Sequence, residues 1–281
     1  MFIIFLTFFA IASVFGADYE TRTHRLEVPE DPDKWVFKGN DSSHSHGRGG
    51  GRISRGQTAT DTQFPWAAQM GINLQNGGYR CTGSLIKANW IVSARHCIAD
   101  TNAVSVQAQL GSADDQKFRV KIFSDLFVWM NVNIGEAPDI ALFRLTNDLA
   151  LNSYVNTVRI PSRAQENFKF EGYTITACGW GGDGSGGLAR QLQWTTFKVL
   201  YERDCNLGPN LICSQPPSGQ SSLEGGDSGG PSVIYENGTP TLVGINVVVV
   251  TSGSNKWQGS TRVSSFLNFI SDVTGLQIRS Y

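Results

Sequence analysis

One serine, Ser228, stands inside the run Gly225-Gly226-Asp227-Ser228-Gly229-Gly230-Pro231. Glycine loses more backbone freedom on folding than any other residue, so four glycines around one serine suit a chain that must turn sharply. Amides from Gly226 and Ser228 aimed at one point would hold an oxyanion. The plainer alternative is a glycine-rich surface turn. A serine hydroxyl becomes a useful nucleophile only beside a base. Of the 4 histidines, His24, His44 and His46 fall before residue 53, which leaves His96 as the one imidazole in the rest of the chain. It ends the apolar stretch Trp90-Ile91-Val92-Ser93-Ala94-Arg95-His96-Cys97. A lone histidine can also be structural. Asp139 enters a second apolar run, Ala137-Pro138-Asp139-Ile140-Ala141-Leu142-Phe143-Arg144-Leu145. A buried carboxylate is costly unless hydrogen-bonded. An imidazole N–H would satisfy it and fix the tautomer a base needs.

Short β-branched and aromatic runs recur between Gly, Asn and Pro turns along the chain that must position these three residues. Examples are Ser84–Ser93, Val104–Leu110, Lys117–Phe123, Ile140–Leu145, Thr174–Trp180, Gln193–Leu200, Ser232–Tyr235 and Thr241–Val250. Only the tail has helical spacing, with Phe266, Phe269, Ile270 and Val273 on one face after Ser264 or Ser265 as cap. Many strands and one terminal helix predict an all-β barrel or sandwich.

Upstream, residues 1–16 form one uncharged apolar run that ends in small residues before Ala17. It is short for a membrane span and reads as a secretory signal peptide, so a secreted, extracellular protein without a membrane span is expected. Residues 17–52 are polar and end in His44-Ser45-His46-Gly47-Arg48-Gly49-Gly50-Gly51-Arg52. Such a stretch buries too little apolar surface to order itself and reads as a pro-segment. Its His44/His46 pair is an incomplete metal site and reads as solvated linker. Asn40 and Asn237 begin glycosylation sequons, the second on an expected hairpin turn. The formal net charge is −1, so nothing points to nucleic acid. Length alone would allow two domains. All 5 cysteines lie after residue 80, and a signal peptide would put them in an oxidising compartment.

Taken with Ile53-Ser54-Arg55-Gly56, Gln63-Phe64-Pro65-Trp66, Gly179-Trp180-Gly181 and Thr261-Arg262-Val263-Ser264-Ser265-Phe266-Leu267, these motifs resemble the trypsin/chymotrypsin family of serine proteases, and most closely its arthropod chymotrypsin/collagenase-like branch. The resemblance covers residues 53–281, the expected protease domain. It implies two six-stranded antiparallel barrels, at about 53–160 and 161–262, and a C-terminal helix at about 264–275. It implies a catalytic triad of His96, Asp139 and Ser228, an oxyanion hole from the Gly226 and Ser228 amides, and hydrolysis through an acyl-enzyme. It also implies activation by a cut between Arg52 and Ile53, after which the Ile53 ammonium pairs with Asp227. The bridges Cys81–Cys97 and Cys205–Cys213 follow from the same resemblance and leave Cys178 as a buried free thiol. The first bridge would close a loop of about 16 residues, worth roughly 3 kcal/mol on chain entropy.

The chain departs from the family at Ser54 and Arg55, at the large Arg95 before the histidine, and at Val247, where a serine normally supports the catalytic acid. Arg95 could act on the base or turn to solvent, and the second is expected. In the substrate pocket, Ser222 aligns with the floor, and Val247-Val248-Val249 and Gly259 with the far wall, the alternative being that this stretch is only a core strand. A neutral floor disfavours cleavage after Lys or Arg, and Val249 narrows the mouth. Small or medium apolar residues are therefore expected as substrate. The segment Gly111–Lys117 is too short to wrap calcium, so neither metal nor cofactor is expected. Expected partners are protein or peptide substrates, an activating protease and protein inhibitors, with the enzyme a monomer. The rival from another class is a non-catalytic protease homologue that binds or regulates.

Overall fold

The computed structural model describes residues 20–26, 56–99, 101–131, 138–182, 187–205, 207–216, 223–252 and 255–281. Fourteen strands are present: β1 (Glu20–Arg25), β2 (Gln57–Thr58), β3 (Ala67–Leu74), β4 (Gly77–Lys87), β5 (Trp90–Ser93), β6 (Ala103–Leu110), β7 (Val120–Asn131), β8 (Ala141–Leu145), β9 (Thr174–Gly179), β10 (Gln193–Val199), β11 (Leu211–Gln215), β12 (Pro231–Glu236), β13 (Thr239–Ser252) and β14 (Asn255–Arg262). Strands β3 to β8 close one antiparallel barrel in the order β7-β6-β3-β4-β5-β8, with β7 pairing back onto β8. Strands β9 to β14 close a second in the order β11-β14-β13-β12-β9-β10, with β11 pairing back onto β10. Closure pairs the terminal strands of each barrel with one another, although β7 runs on past β6 and keeps a free side from Leu126 onward. The expectation of two six-stranded barrels with a C-terminal helix is met.

Each barrel is filled by alternating side chains. Ile72, Leu85, Ile91, Val106, Leu142 and Phe143 are buried in the first. Phe170, Ile175, Phe197, Ile212, Ile234 and Val243 form a separate core in the second. The helix α1 (Leu267–Thr274) buries Leu267, Phe269 and Ile270 and stops at Gly275, which is left-handed at φ 67°. Its start corrects the sequence reading. A 3₁₀ turn, Val263–Phe266, runs straight into α1, so neither Ser264 nor Ser265 caps it. A helix continued from a tighter turn needs no side-chain cap at the junction.

A second correction concerns the leader. Residues 1–19 and 27–55, with the signal peptide, Asn40, the His44/His46 pair and the Arg52–Ile53 bond, lie outside the described residues. Residues 20–26, however, are ordered: β1 runs antiparallel to β7, from Glu20 opposite Asn131 to Arg25 opposite Leu126. Composition missed this because a strand added to a waiting edge is held by main-chain hydrogen bonds, which need no apolar side chains.

A candidate active site between the barrels

The three chemical residues come from three different loops. His96 sits in a 3₁₀ turn, Arg95–Cys97, directly after β5. Asp139 lies just before β8, which pairs with β5, so one sheet interaction aligns both loops. The Asp139 carboxylate grips His96 twice. Its Oδ1 accepts the His96 amide at 2.8 Å, and its Oδ2 lies 2.6 Å from the imidazole Nδ1. Nε2 is left to face outward from a side chain that is 43% exposed. The Cys81–Cys97 disulfide fastens the residue beside His96 to β4.

Ser228 arrives from the second barrel, on the loop before β12. The seam that seats it runs through Thr82 of β4. The Thr82 amide donates to the Ser228 carbonyl at 2.8 Å, and the Thr82 hydroxyl donates to the Gly226 carbonyl at 2.9 Å. The Cys97 sulfur is 3.9 Å from the same Ser228 carbonyl oxygen. Among the described residues no hydrogen bond joins the Ser228 hydroxyl to His96. The acid–base half of the constellation is closed and the nucleophile half is open, as free enzymes commonly have it.

Gly229 and Gly230 are there for contact. Gly229 is left-handed at φ 79°, and a Cβ there would lie 1.9 Å from the Ser93 hydroxyl and 2.4 Å from the Thr82 carbonyl oxygen. No side chain fits where the two barrels touch. The Gly182 amide holds the Gly225 carbonyl at 2.9 Å. The peptide plane is trans, so the Gly226 N–H points the opposite way, free of that contact.

Asp227 is wholly buried. Its carboxylate accepts the Gly181 amide at 2.8 Å and the Glu224 amide at 2.9 Å. A Cβ on Gly181 would come within 2.5 Å of the carboxylate, so only glycine fits beside it. Burial pushes the Asp227 carboxyl up to about 7 despite the two amides, and the Glu224 charge adds to the push. Among the described residues no cation is paired with it. Cys178 is buried nearby, and burial with the Asp227 charge raises its thiol far above the usual range. The bridges Cys81–Cys97 and Cys205–Cys213 and the free Cys178 are as expected.

At the departures from the family, Arg95 is only partly exposed, so it does not turn freely into solvent as expected. Its Nε is itself buried, so part of the guanidinium head is drawn inward with the stem. Val247 falls at a β-bulge between Asn246 and Val248. Support for Asp139 comes instead from β14, where the Thr261 hydroxyl donates to the Asp139 carbonyl at 2.9 Å. Motif reading missed Thr82 and Thr261 as supports. Their only signal is a hydroxyl-bearing residue inside a strand, Thr82 in the middle of β4 and Thr261 next to the end of β14.

Ser222 lies outside the described residues. Past the bulge, Val248 pairs with Gly259 and Val249 with Gln258. Val248 is the side chain over Gly259, where a Cβ would meet its Cγ1 at 2.5 Å. Val249 is exposed, as a residue at a pocket mouth would be. Opposite it on β14, Gln258 is buried, and neither atom of its carboxamide has a partner. Asn237 and Gly238 form the exposed two-residue turn between β12 and β13, so that sequon does sit on a hairpin.

The trypsin family profile matches residues 53–270. A Drosophila melanogaster protein, serine protease 1, is 30% identical over 80% of this chain and 87% of its own length. A Hypoderma lineatum collagenase is 31% identical over 80% of this chain and 88% of its own. A solved HL collagenase structure superposes with a TM-score of 0.69 at 29% identity, covering 80% of this chain and 99% of that one. The two-barrel fold, the Asp–His pair and the glycine-framed serine thus coincide with a family match over most of the molecule: the chain belongs to the trypsin family and is a chymotrypsin-like serine endopeptidase.

Proposed function

We propose that the protein is secreted as an inactive precursor and that His96, Asp139 and Ser228 are its catalytic triad. The observation that carries this reading is the double grip of Asp139 on His96, at 2.6 Å and 2.8 Å. Ser228 Oγ attacks the peptide carbonyl while His96 Nε2 takes its proton. The Gly226 and Ser228 amides hold the oxyanion. His96 hands the proton to the leaving amine, and the acyl-enzyme forms. Water then adds to the acyl carbon with His96 as base, and the proton returns to Ser228. Asp139 keeps Nδ1 protonated and stabilises the imidazolium.

Cutting Arg52–Ile53 frees an ammonium, and Asp227 is its partner. The buried carboxyl, raised to about 7 and lacking a cation among the described residues, supports this. A buried carboxylate without a counter-charge is strongly unfavourable, so supplying one ammonium is enough to fix the loop that carries Gly226 and Ser228. The substrate residue is apolar and small or medium, with Val249 and Gln258 filling the pocket that Ser222 floors. The collagenase and the 28% identical Felis catus chymotrypsin-like elastase family member 1 support that class. Asn40 and Asn237 carry glycans, protein inhibitors bind the cleft, and the enzyme works as a monomer.

The test is a fluorophosphonate probe on purified precursor before and after the cut. Labelling of Ser228 only after cutting is expected. Folded, correctly cut protein that takes no label would instead indicate a non-catalytic binding protein.

A further inference from the structure

Strand β1 occupies a stretch of β7 that the barrel leaves unpaired on one side. The first half of β7 pairs with β6, up to Ser124 opposite Val106. Its second half pairs with β8 on one side, over Leu126–Trp129, and with β1 on the other, over Leu126–Asn131. β1 therefore takes the place that β6 vacates. The Leu26 amide donates to the Asp125 carbonyl at 3.1 Å. Residues two apart share a side of an antiparallel ladder, so the amides of His24 and Arg22 face β7 as well. In return, the amides of Phe127 and Trp129 face β1. The His24 ring stacks on Phe127 at 5.0 Å, Phe127 stacks on Trp129 at 5.4 Å, and Leu26 is buried. Outward, β1 shows Arg22, Thr23 and Arg25, all exposed. Charged residues on an edge discourage further pairing. Without β1, the aromatic stretch of β7 would itself be that edge.

We infer that residues 20–26 are not shed on activation: they stay on β7 as a non-covalent added strand, so the active enzyme has two chains. This rests on the proposed cut at Arg52. No cysteine precedes Cys81, so no disulfide can hold the leader once the chain is cut. Retention must then come from the ladder, the His24–Phe127 stack and Leu26.

The test uses full-length precursor cut after Arg52, with Ile53 confirmed as the new N-terminus by mass. Native gel filtration should return the leader fragment with the protease, and guanidinium should release it. Hydrogen exchange at the Phe127 and Trp129 amides should be the same before and after the cut. In an Arg22→Pro/His24→Pro double variant, which lacks the two facing amides, the fragment should be lost. Exchange at Phe127 and Trp129 should then rise by about tenfold or more. If the wild-type fragment separates from protease that fluorophosphonate still labels, the inference falls and the activation reading stands. Cut protein that takes no label brings down the activation reading, whatever the fragment does. Should the double variant not fold, wild-type exchange alone decides.

Discussion

The Thr82 hydroxyl donates to the carbonyl of Gly226 across the seam between the barrels, at 2.9 Å. Its own carbonyl is held by the Ser93 hydroxyl at 2.8 Å, and its amide by the Ser228 carbonyl at 2.8 Å. One buried residue of the first barrel thus braces both ends of the nucleophile turn. Thr82→Val keeps the shape and removes the brace. One such bond is worth about 1 kcal/mol, so kcat should fall about fivefold with KM nearly unchanged. Thr82→Ser should restore most of the loss. An equal loss in both variants, or a change confined to KM, would exclude this role.

Asp227 makes precursor stability depend on pH in an unusual direction. An acid whose folded pKa is raised binds its proton more tightly folded than unfolded. Its contribution is greatest below about pH 4 and is lost as pH rises through about 7. The span amounts to at most on the order of 4 kcal/mol. Guanidinium unfolding of Ser228→Ala precursor should show this fall, and Asp227→Asn in the same background should flatten it. After the cut, the Ile53 ammonium should offset the loss, so cut protein gains on precursor as pH rises. Parallel pH curves for the two forms would count against the pairing.

Gln258 sits directly opposite Val249 on the neighbouring strand and is buried, whereas Val249 is exposed. Gln258→Gly should raise kcat/KM for large apolar substrate residues by about tenfold relative to alanine, read from a peptide-library digest. An unchanged cleavage profile would show that the pocket lies elsewhere.

Cys178 is buried and its thiol is held protonated by burial and by the charge of Asp227. Thiolate is the reactive form. Maleimide should leave Cys178 unmodified in native protein and label it once the chain is unfolded. Labelling of native protein at a rate independent of denaturant would contradict this.

How much of this was legible in the sequence depends on distance along the chain. The all-β class and the terminal helix could be read from hydrophobic period, the two barrels from the family resemblance, and the candidates His96, Asp139 and Ser228 from motifs, because each signal is local. The runs around β5, β8, β9 and β13 carried it most clearly. β3, β11 and β14 escaped because their small and polar residues give no clean alternation. β1 escaped for a different reason: its stability lies in the edge it meets, about a hundred residues away.

The sequence by itself determined which side chains could do chemistry, and in which family. Only the tertiary structure decided that Thr82 braces the nucleophile turn, that Thr261 supports Asp139 where a serine was missed, and that the leader is a strand. It also decided which valine covers Gly259. Side chains alternate along a strand, so one bulge at Val247 exchanges the two faces beyond it. Such a register is set by pairing between distant segments, and no local pattern of residues carries it.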